Sequence, residues 1–121
     1  MRITRIFMGV ALAVTMLFST TACSTSEPVD MASVTSVIDV RTPEEFNAGH
    51  LEGAVNIPVE VGDFVGSVSQ LDPEGKYLIY CKSGRRAGLA IDQMTQLGFT
   101  DMSNLGSLEN AASVTQLPVV G

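Results

Sequence analysis

Tyr77-Leu78-Ile79-Tyr80-Cys81-Lys82-Ser83-Gly84-Arg85-Arg86 carries an uncharged apolar run into a cysteine, and the cysteine into a small basic loop. Four successive aromatic and aliphatic residues suit a strand buried on both faces, as in a parallel sheet, better than a half-exposed strand. Past Gly84 the period changes. Ala87, Ala90, Ile91, Met94 and Leu97 recur at steps of three and four, which predicts a helix ending at Gly98. Cys81 is thereby placed between the C-terminal end of a strand and the N-terminal end of a helix, the edge of an open α/β sheet where ligands bind. N–H groups at a helix start have no internal partner, and the helix dipole adds partial positive charge there. A thiolate in that position is stabilised, with Lys82, Arg85 and Arg86 adding full charges nearby.

Upstream, Val37–Val40 is a predicted strand followed by Arg41. Thr42 suits an N-cap, Pro43 the first helical position and Glu45 the reciprocal capping-box acid, so a short helix runs from Pro43 to about Ala48 and stops at Gly49. His50–Gly53 reads as a turn and Ala54–Ile57 as a second strand closed by Pro58. From Val59 to Gln70 the positions Val61, Phe64, Val65, Val68 and then Leu71 predict an amphipathic helix, weakened by Gly62 and Gly66. Asp72–Gly75 is a turn into the central strand. Downstream, Phe99 opens a short strand to Met102 or Ser103, Leu105–Ser107 is a turn, Ser107 to about Ala112 a last helical turn, and Pro118–Gly121 an irregular tail. Strands alternating with helices predict an α/β protein with a small, mostly parallel central sheet of four to five strands and helices on both faces.

The 121 residues allow one small domain plus a processed leader. Arg2 and Arg5 precede an apolar segment from Ile6 to Phe18, and Ser19-Thr20-Thr21-Ala22 supplies small residues before Cys23. Residues 1–22 thus have the layout of an export signal, with an apolar part too short to span a membrane comfortably. Small residues before Cys23 resemble the lipobox of bacterial lipoproteins, although Thr20 stands where leucine is usual, and Thr20-Thr21-Ala22 also fits ordinary signal cleavage. Acylation of Cys23, giving a periplasmic or other extracytoplasmic protein anchored to the membrane by its N-terminal lipid, is the leading expectation. A soluble secreted form comes second, and an incidental linker cysteine third. Residues 23–34, rich in Ser, Thr, Asp and Glu, read as a tether, and residues 35–121 as the domain.

Removal of 1–22 leaves five basic residues against thirteen acidic ones, a net charge of −8, which excludes nucleic acid as a natural partner. Four of those five cations, Lys76, Lys82, Arg85 and Arg86, crowd around the cysteine, a local spot suited to a small anion. With two cysteines and one assigned to the lipid, no structural disulfide is expected. Cys81 is then a free thiol outside the cytosol, where a purely structural thiol is a liability.

Three blocks in order resemble the rhodanese sulfurtransferase domain: Val37-Ile38-Asp39-Val40-Arg41-Thr42-Pro43-Glu44-Glu45-Phe46, Gly49-His50-Leu51-Glu52-Gly53-Ala54-Val55-Asn56-Ile57-Pro58, and Tyr80-Cys81-Lys82-Ser83-Gly84-Arg85-Arg86-Ala87. The resemblance covers roughly residues 36–110 and is greatest to small, single-domain periplasmic rhodaneses of the phage-shock protein E type. It implies a cysteine that takes sulfane sulfur from thiosulfate, releases sulfite, holds the sulfur as a persulfide and passes it to cyanide or a thiol, with no metal and no cofactor beyond that covalent intermediate. Carried over, Cys81 is the nucleophile, and Lys82, Ser83, Gly84, Arg85 and Arg86 form the cradle for the anion and the persulfide. Asp39 and Arg41 match the family's Asp-x-Arg, read as structural support tying the first strand to the loop. Four residues separate Cys81 from Arg86. Related phosphatases and arsenate reductases use a loop one residue longer, so the length selects sulfur over a tetrahedral phosphate.

The family often carries Gly-Gly and an aromatic residue near the domain end, where this chain has Gly106-Ser107-Leu108. That departure points to a more open or less ordered edge of the pocket. It motivates a second reading, a persulfide or polysulfide carrier or binding module serving a protein thiol. Arg86 divides between touching substrate and holding the loop through a carboxylate, with Asp39 the candidate. His50, the only histidine, reads as a turn-stabilising hydrogen-bond group, and Glu44 and Glu45 as helix caps.

Overall fold

The computed structural model describes residues 28–121. The expected export signal, 1–22, and Cys23 lie outside the described residues. Four parallel strands form the sheet: β1 (Ser36–Asp39), β3 (Val55–Asn56), β4 (Lys76–Cys81) and β5 (Asp101–Ser107), in the order β3-β1-β4-β5. Between them come α1 (Pro43–Ala48), β2 (His50–Leu51), α2 (Phe64–Val68) and α3 (Arg85–Gln96), and after β5 come α4 (Leu108–Thr115) and β6 (Val119–Val120). The chain adopts the expected α/β class, and of the four to five mostly parallel strands expected the central sheet has four, all parallel.

The uniform apolar character of β4 has the anticipated cause. Tyr77 and Ile79 enter one core with Ile38, Val40, Phe64, Val68, Ala87, Ala90, Met94 and Phe99, beneath α2 and α3. Leu78 and Tyr80 enter a second core on the opposite face with Val37, Leu51, Leu105, Ala111 and Val114, beneath α4. Successive side chains of a strand point to opposite faces, so a strand covered on both sides has no position for a polar residue.

The predicted caps of α1 are present. Thr42 accepts the Glu45 N–H, and the Glu45 carboxylate accepts the Thr42 N–H in return. Five other expectations are corrected. The helix predicted over Val59–Gln70 shrinks to Phe64–Val68: Gly62 adopts a left-handed φ of 77° and Asp63 caps the Gly66 N–H at 2.9 Å, so the chain before Phe64 cannot continue the helix. The turn predicted over His50–Gly53 narrows to Glu52-Gly53, and His50-Leu51 pairs with Val119-Val120 of the expected irregular tail as the antiparallel ribbon β2-β6. The turn at Leu105–Ser107 is the end of β5, where the register slips against β4 between Ile79 and Cys81 and Gly106 takes φ 74°. The final helical turn extends to the whole of α4, capped by Ser107. The described part of the expected tether also packs. Val29 donates to the Val114 carbonyl at 2.9 Å, and Val29, Met31 and Val34 lie against the second core.

Candidate active site

Strand β4 ends at Cys81, and the loop Lys82-Ser83-Gly84 turns the chain directly into α3. Gly84 is the N-cap of that helix and has no side chain with which to cap it; its φ of 97° lies in the left-handed region that glycine enters without strain. The thiol takes over the capping role. The Gly84 N–H donates to Cys81 Sγ at 2.9 Å. Burial pushes the thiol up, but the backbone N–H groups of Ala87, Ser83, Gly84 and Arg86 outweigh it, so Cys81 titrates below the ordinary thiol range. Backbone dipoles thus stabilise the thiolate more than the loop's side-chain charges do, contrary to the emphasis placed on Lys82, Arg85 and Arg86.

Two of those cations are engaged elsewhere. Arg86 makes a bidentate pair with Glu45, at 2.6 and 3.0 Å, and the Arg86 guanidinium holds the Glu45 carboxyl down to about 2. Glu45 therefore serves twice, in the capping box of α1 and as the anchor that ties α1 to the start of α3. The carboxylate suggested for Arg86 was Asp39, and that expectation is corrected: fully buried Asp39 is taken by Arg41, which donates through Nε at 3.0 Å and Nη2 at 2.7 Å. Nη2 of Arg41 also reaches the Gly49 carbonyl at 2.6 Å, and its guanidinium carbon lies 5.6 Å from the centre of the Tyr80 ring. Asp39 and Arg41 so fasten the end of β1 to the chain after α1. Arg85 pairs with Glu60 at 2.8 Å on the surface, and Lys82 projects outward with no ion pair among the described residues.

Two side chains that build the loop escaped the sequence reading. Asn104, beside the β5 slip, donates from Nδ2 to the Gly84 carbonyl at 2.9 Å and accepts the Gly106 N–H at 2.9 Å. It joins the edge strand to the turn that presents Gly84 to the sulfur. A Cβ on Gly84 would stand 3.4 Å from Gly106 Cα and 3.5 Å from Asn104 Oδ1. Asn56 donates to the carbonyls of Asp39 and Arg41, at 3.1 and 3.0 Å, and fixes the far side of the sheet edge. Asn104 lies in the mixed stretch Met102-Ser103-Asn104-Leu105 and Asn56 between the apolar Val55 and Ile57, and neither pattern carries a signal of a long-range partner. His50 has the role expected of it: Nδ1 meets the Phe46 carbonyl at 2.8 Å and the ring stacks on Phe46 at 3.7 Å.

A strand-to-helix turn that delivers a free cysteine into a ring of backbone N–H groups coincides with a match of residues 24–112 to the rhodanese-like domain family. The chain belongs to this family. It is 36% identical over 76 residues to the thiosulfate sulfurtransferase PspE of Escherichia coli K12, a match covering 62% of this chain and 72% of PspE. It is 33% identical over 81 residues to a putative mitochondrial thiosulfate sulfurtransferase of Schizosaccharomyces pombe, covering 58% of this chain and 57% of that protein. In three dimensions it resembles a rhodanese of E. coli solved with anions, with a TM-score of 0.58 and 31% identity over 70% of this chain and 95% of that one.

The rhodanese-like fold accounts for the parallel sheet and the placement of Cys81 at its C-terminal edge. The edge at Gly106-Ser107-Leu108 is ordered, and it is open, since Ser107 and Leu108 line a cavity of about 310 Å³ with Arg41, Lys82 and Glu109. Leu105 is buried and Leu108 packs on the second core, while Ser107 accepts the Asn110 N–H at 3.1 Å and starts α4.

Proposed function

We propose that the protein is a thiosulfate sulfurtransferase working through a persulfide on Cys81. The observation that carries this reading is the convergence of loop N–H groups on Sγ, which favours the thiolate and presents further donors at the loop mouth. The thiolate attacks the sulfane sulfur of thiosulfate. A Cys81 Sγ–S bond forms, the S–S bond of thiosulfate breaks, and sulfite leaves with its electron pair. The terminal sulfur of the persulfide then lies in the cradle of Lys82, Ser83, Gly84, Arg85 and Arg86, where the N–H groups hold its charge. Cyanide or a thiolate next attacks that sulfur, and the electron pair of the broken bond returns to Sγ. No oxidant or reductant is consumed. Arg86, held by Glu45, shapes the cradle, and Arg85 and Lys82 supply positive charge at its rim.

The composition of residues 1–22 and the lipobox-like residues before Cys23 support an exported protein, with acylation of Cys23 as its anchor. A persulfide or polysulfide carrier serving a protein thiol is the second reading, and the cavity that Ser107 and Leu108 line beside Lys82 supports it.

Intact-mass spectrometry before and after anaerobic mixing with thiosulfate tests the proposal. A gain of one sulfur, removed by cyanide and absent from Cys81→Ser, is the expected outcome. An unchanged mass in the wild type would sink thiosulfate as the donor.

A further inference from the structure

We propose that Glu60 determines which sulfur donors the site accepts, standing as counter-ion to Arg85 on the side of the loop where the sulfur lies, so that donors of higher negative charge are penalised. The inference rests on the sulfur-transfer reading above and adds the charge class of its donor. Cys81 belongs to the core beneath α2 and α3, together with Ile57 and Ala87, and Val59 packs against that same core. The Val59 N–H donates to the Val40 carbonyl at 3.2 Å, which pins the chain after β3 beside the end of β1. Glu60 follows directly, and its Oε1 accepts from Nη2 of Arg85, the first residue of α3, at 2.8 Å. The pair thus bridges the β3–α2 connection to the Cys81 loop on the face that holds the sulfur. Arg86 is held above its ordinary value first by Glu45 and, through space, by both Cys81 and Glu60, so the Glu60 carboxylate and the sulfur act on one guanidinium.

The other cations of the described residues are disposed differently. Arg41 is committed to Asp39 and Arg86 to Glu45, Lys82 lines the cavity on the α4 side with Ser107 and Leu108, and Lys76 opens β4 at the end of the strand away from Cys81. Arg85 remains, and its partner is loosely held. The two side chains are 66% and 48% exposed, and an ion pair so open to water is readily exchanged for another anion. The Glu60 segment also has room to yield: Val61 and Gly62 follow it, Gly62 in the left-handed region, and with Pro58 they line a cavity of about 260 Å³. Glu60 therefore cancels the charge of Arg85 without fixing its position. A donor anion approaching the loop meets a neutral pair and must take Arg85 from the carboxylate. A dianion such as thiosulfate is opposed by the Glu60 charge twice as strongly as a monoanion at the same distance.

No covalent bond changes in this exchange. The Arg85 N–H passes from Glu60 Oε1 to an oxygen of the donor, and the carboxylate turns to solvent. Once the sulfur has moved to Cys81 and sulfite departs, Glu60 recovers the guanidinium and opposes rebinding of the product.

Glu60→Gln tests the inference, because the amide keeps the length of the side chain and an oxygen for Arg85 and removes only the charge. Thiosulfate is titrated into Cys81→Ser, which has no thiol to take the sulfur, with and without Glu60→Gln, and the amide resonances of Ser83, Gly84, Arg85 and Arg86 report binding. Glu60→Gln is expected to tighten thiosulfate roughly three- to fivefold at low salt, the effect of one exposed charge, and to lose that gain as added salt screens it. In the protein that keeps its thiol, the same variant should lower KM for thiosulfate by that factor. For the monoanion methanethiosulfonate KM should fall by about the square root of it, roughly twofold, with kcat unmoved for both donors. With Arg85→Gln as background the gain should shrink, since no guanidinium is left to release. Equal affinity with and without the Glu60 charge, or a gain undiminished in the Arg85→Gln background, would overturn the role of Glu60 while a persulfide on Cys81 upheld sulfur transfer. Failure of thiosulfate to form the persulfide would overturn the parent reading instead, and tighter thiosulfate binding in the titration would still support Glu60 as the counter-ion.

Discussion

Cys81 is governed by opposing effects, and their balance sets how it titrates. Burial raises the thiol, four backbone N–H groups lower it, and the net displacement is downward. The reactive species is the thiolate, so persulfide formation at limiting thiosulfate should be level above the thiol's own titration and fall about tenfold per unit below it. The half-point is expected beneath that of a free cysteine, about 8.5. Ultraviolet absorbance of the thiolate across a pH series reads it directly, and a half-point at or above the free-thiol value would contradict the capping role given to the sulfur. The cysteine and its basic loop were legible in the sequence because they are contiguous. The partners of the loop's arginines were not, since Glu45 and Glu60 lie 41 and 25 positions away.

At the scale of elements, the junction of β4, α3 and β5 depends on Asn104, and its role is to position Gly84. Asn104→Ala leaves the Gly84 carbonyl with one fewer donor and should cost about 1 kcal/mol of stability. A purely structural loss would stop there. Because the Gly84 N–H is one of the donors to Sγ, the variant should also raise the thiol's titration toward the ordinary value, and an unaltered pH profile would assign Asn104 to stability alone. The tie between α1 and α3 has its own signature in acid. Glu45 is held at about 2 in the folded protein against 4.5 otherwise, chiefly by the Arg86 hydrogen bonds. A depressed carboxylate contributes stability that is complete above its unfolded value and is lost as pH falls from about 4.5 to about 2. The contribution is about 2 kcal/mol once the pair's partial exposure is allowed for. Glu45→Gln should be less stable than wild type at neutral pH, and the two denaturation midpoints should converge across that acid window. Parallel curves would refute the assignment.

Over the whole molecule, the two faces of the sheet are closed by different means. Helices α2 and α3 cover one core; α4, the β2-β6 ribbon and residues 29–34 cover the other. Removing residues 118–121 deletes β6 and the Pro118 carbonyl that accepts the Glu52 N–H at 2.9 Å. About 1 kcal/mol lost from a domain of this size lowers Tm by roughly 4–8 °C, and calorimetry showing no change would mean the ribbon is ornamental to stability. By itself the sequence determined the order of the main elements, the buried character of β4, the capping of α1 and the strand-cysteine-helix junction. Each is written in residues within a few positions of one another, where periodicity and capping chemistry act. Tertiary structure alone decided that Arg86 takes Glu45 and not Asp39, that a predicted turn is a slipped strand end, that two short segments 70 positions apart pair as His50 and Val120, and that Arg41 faces a cavity with Lys82 and Glu109. Those outcomes depend on which distant atoms the closed sheet brings within bonding distance, and a hydrogen bond of about 3 Å has no counterpart in the spacing of residues along the chain.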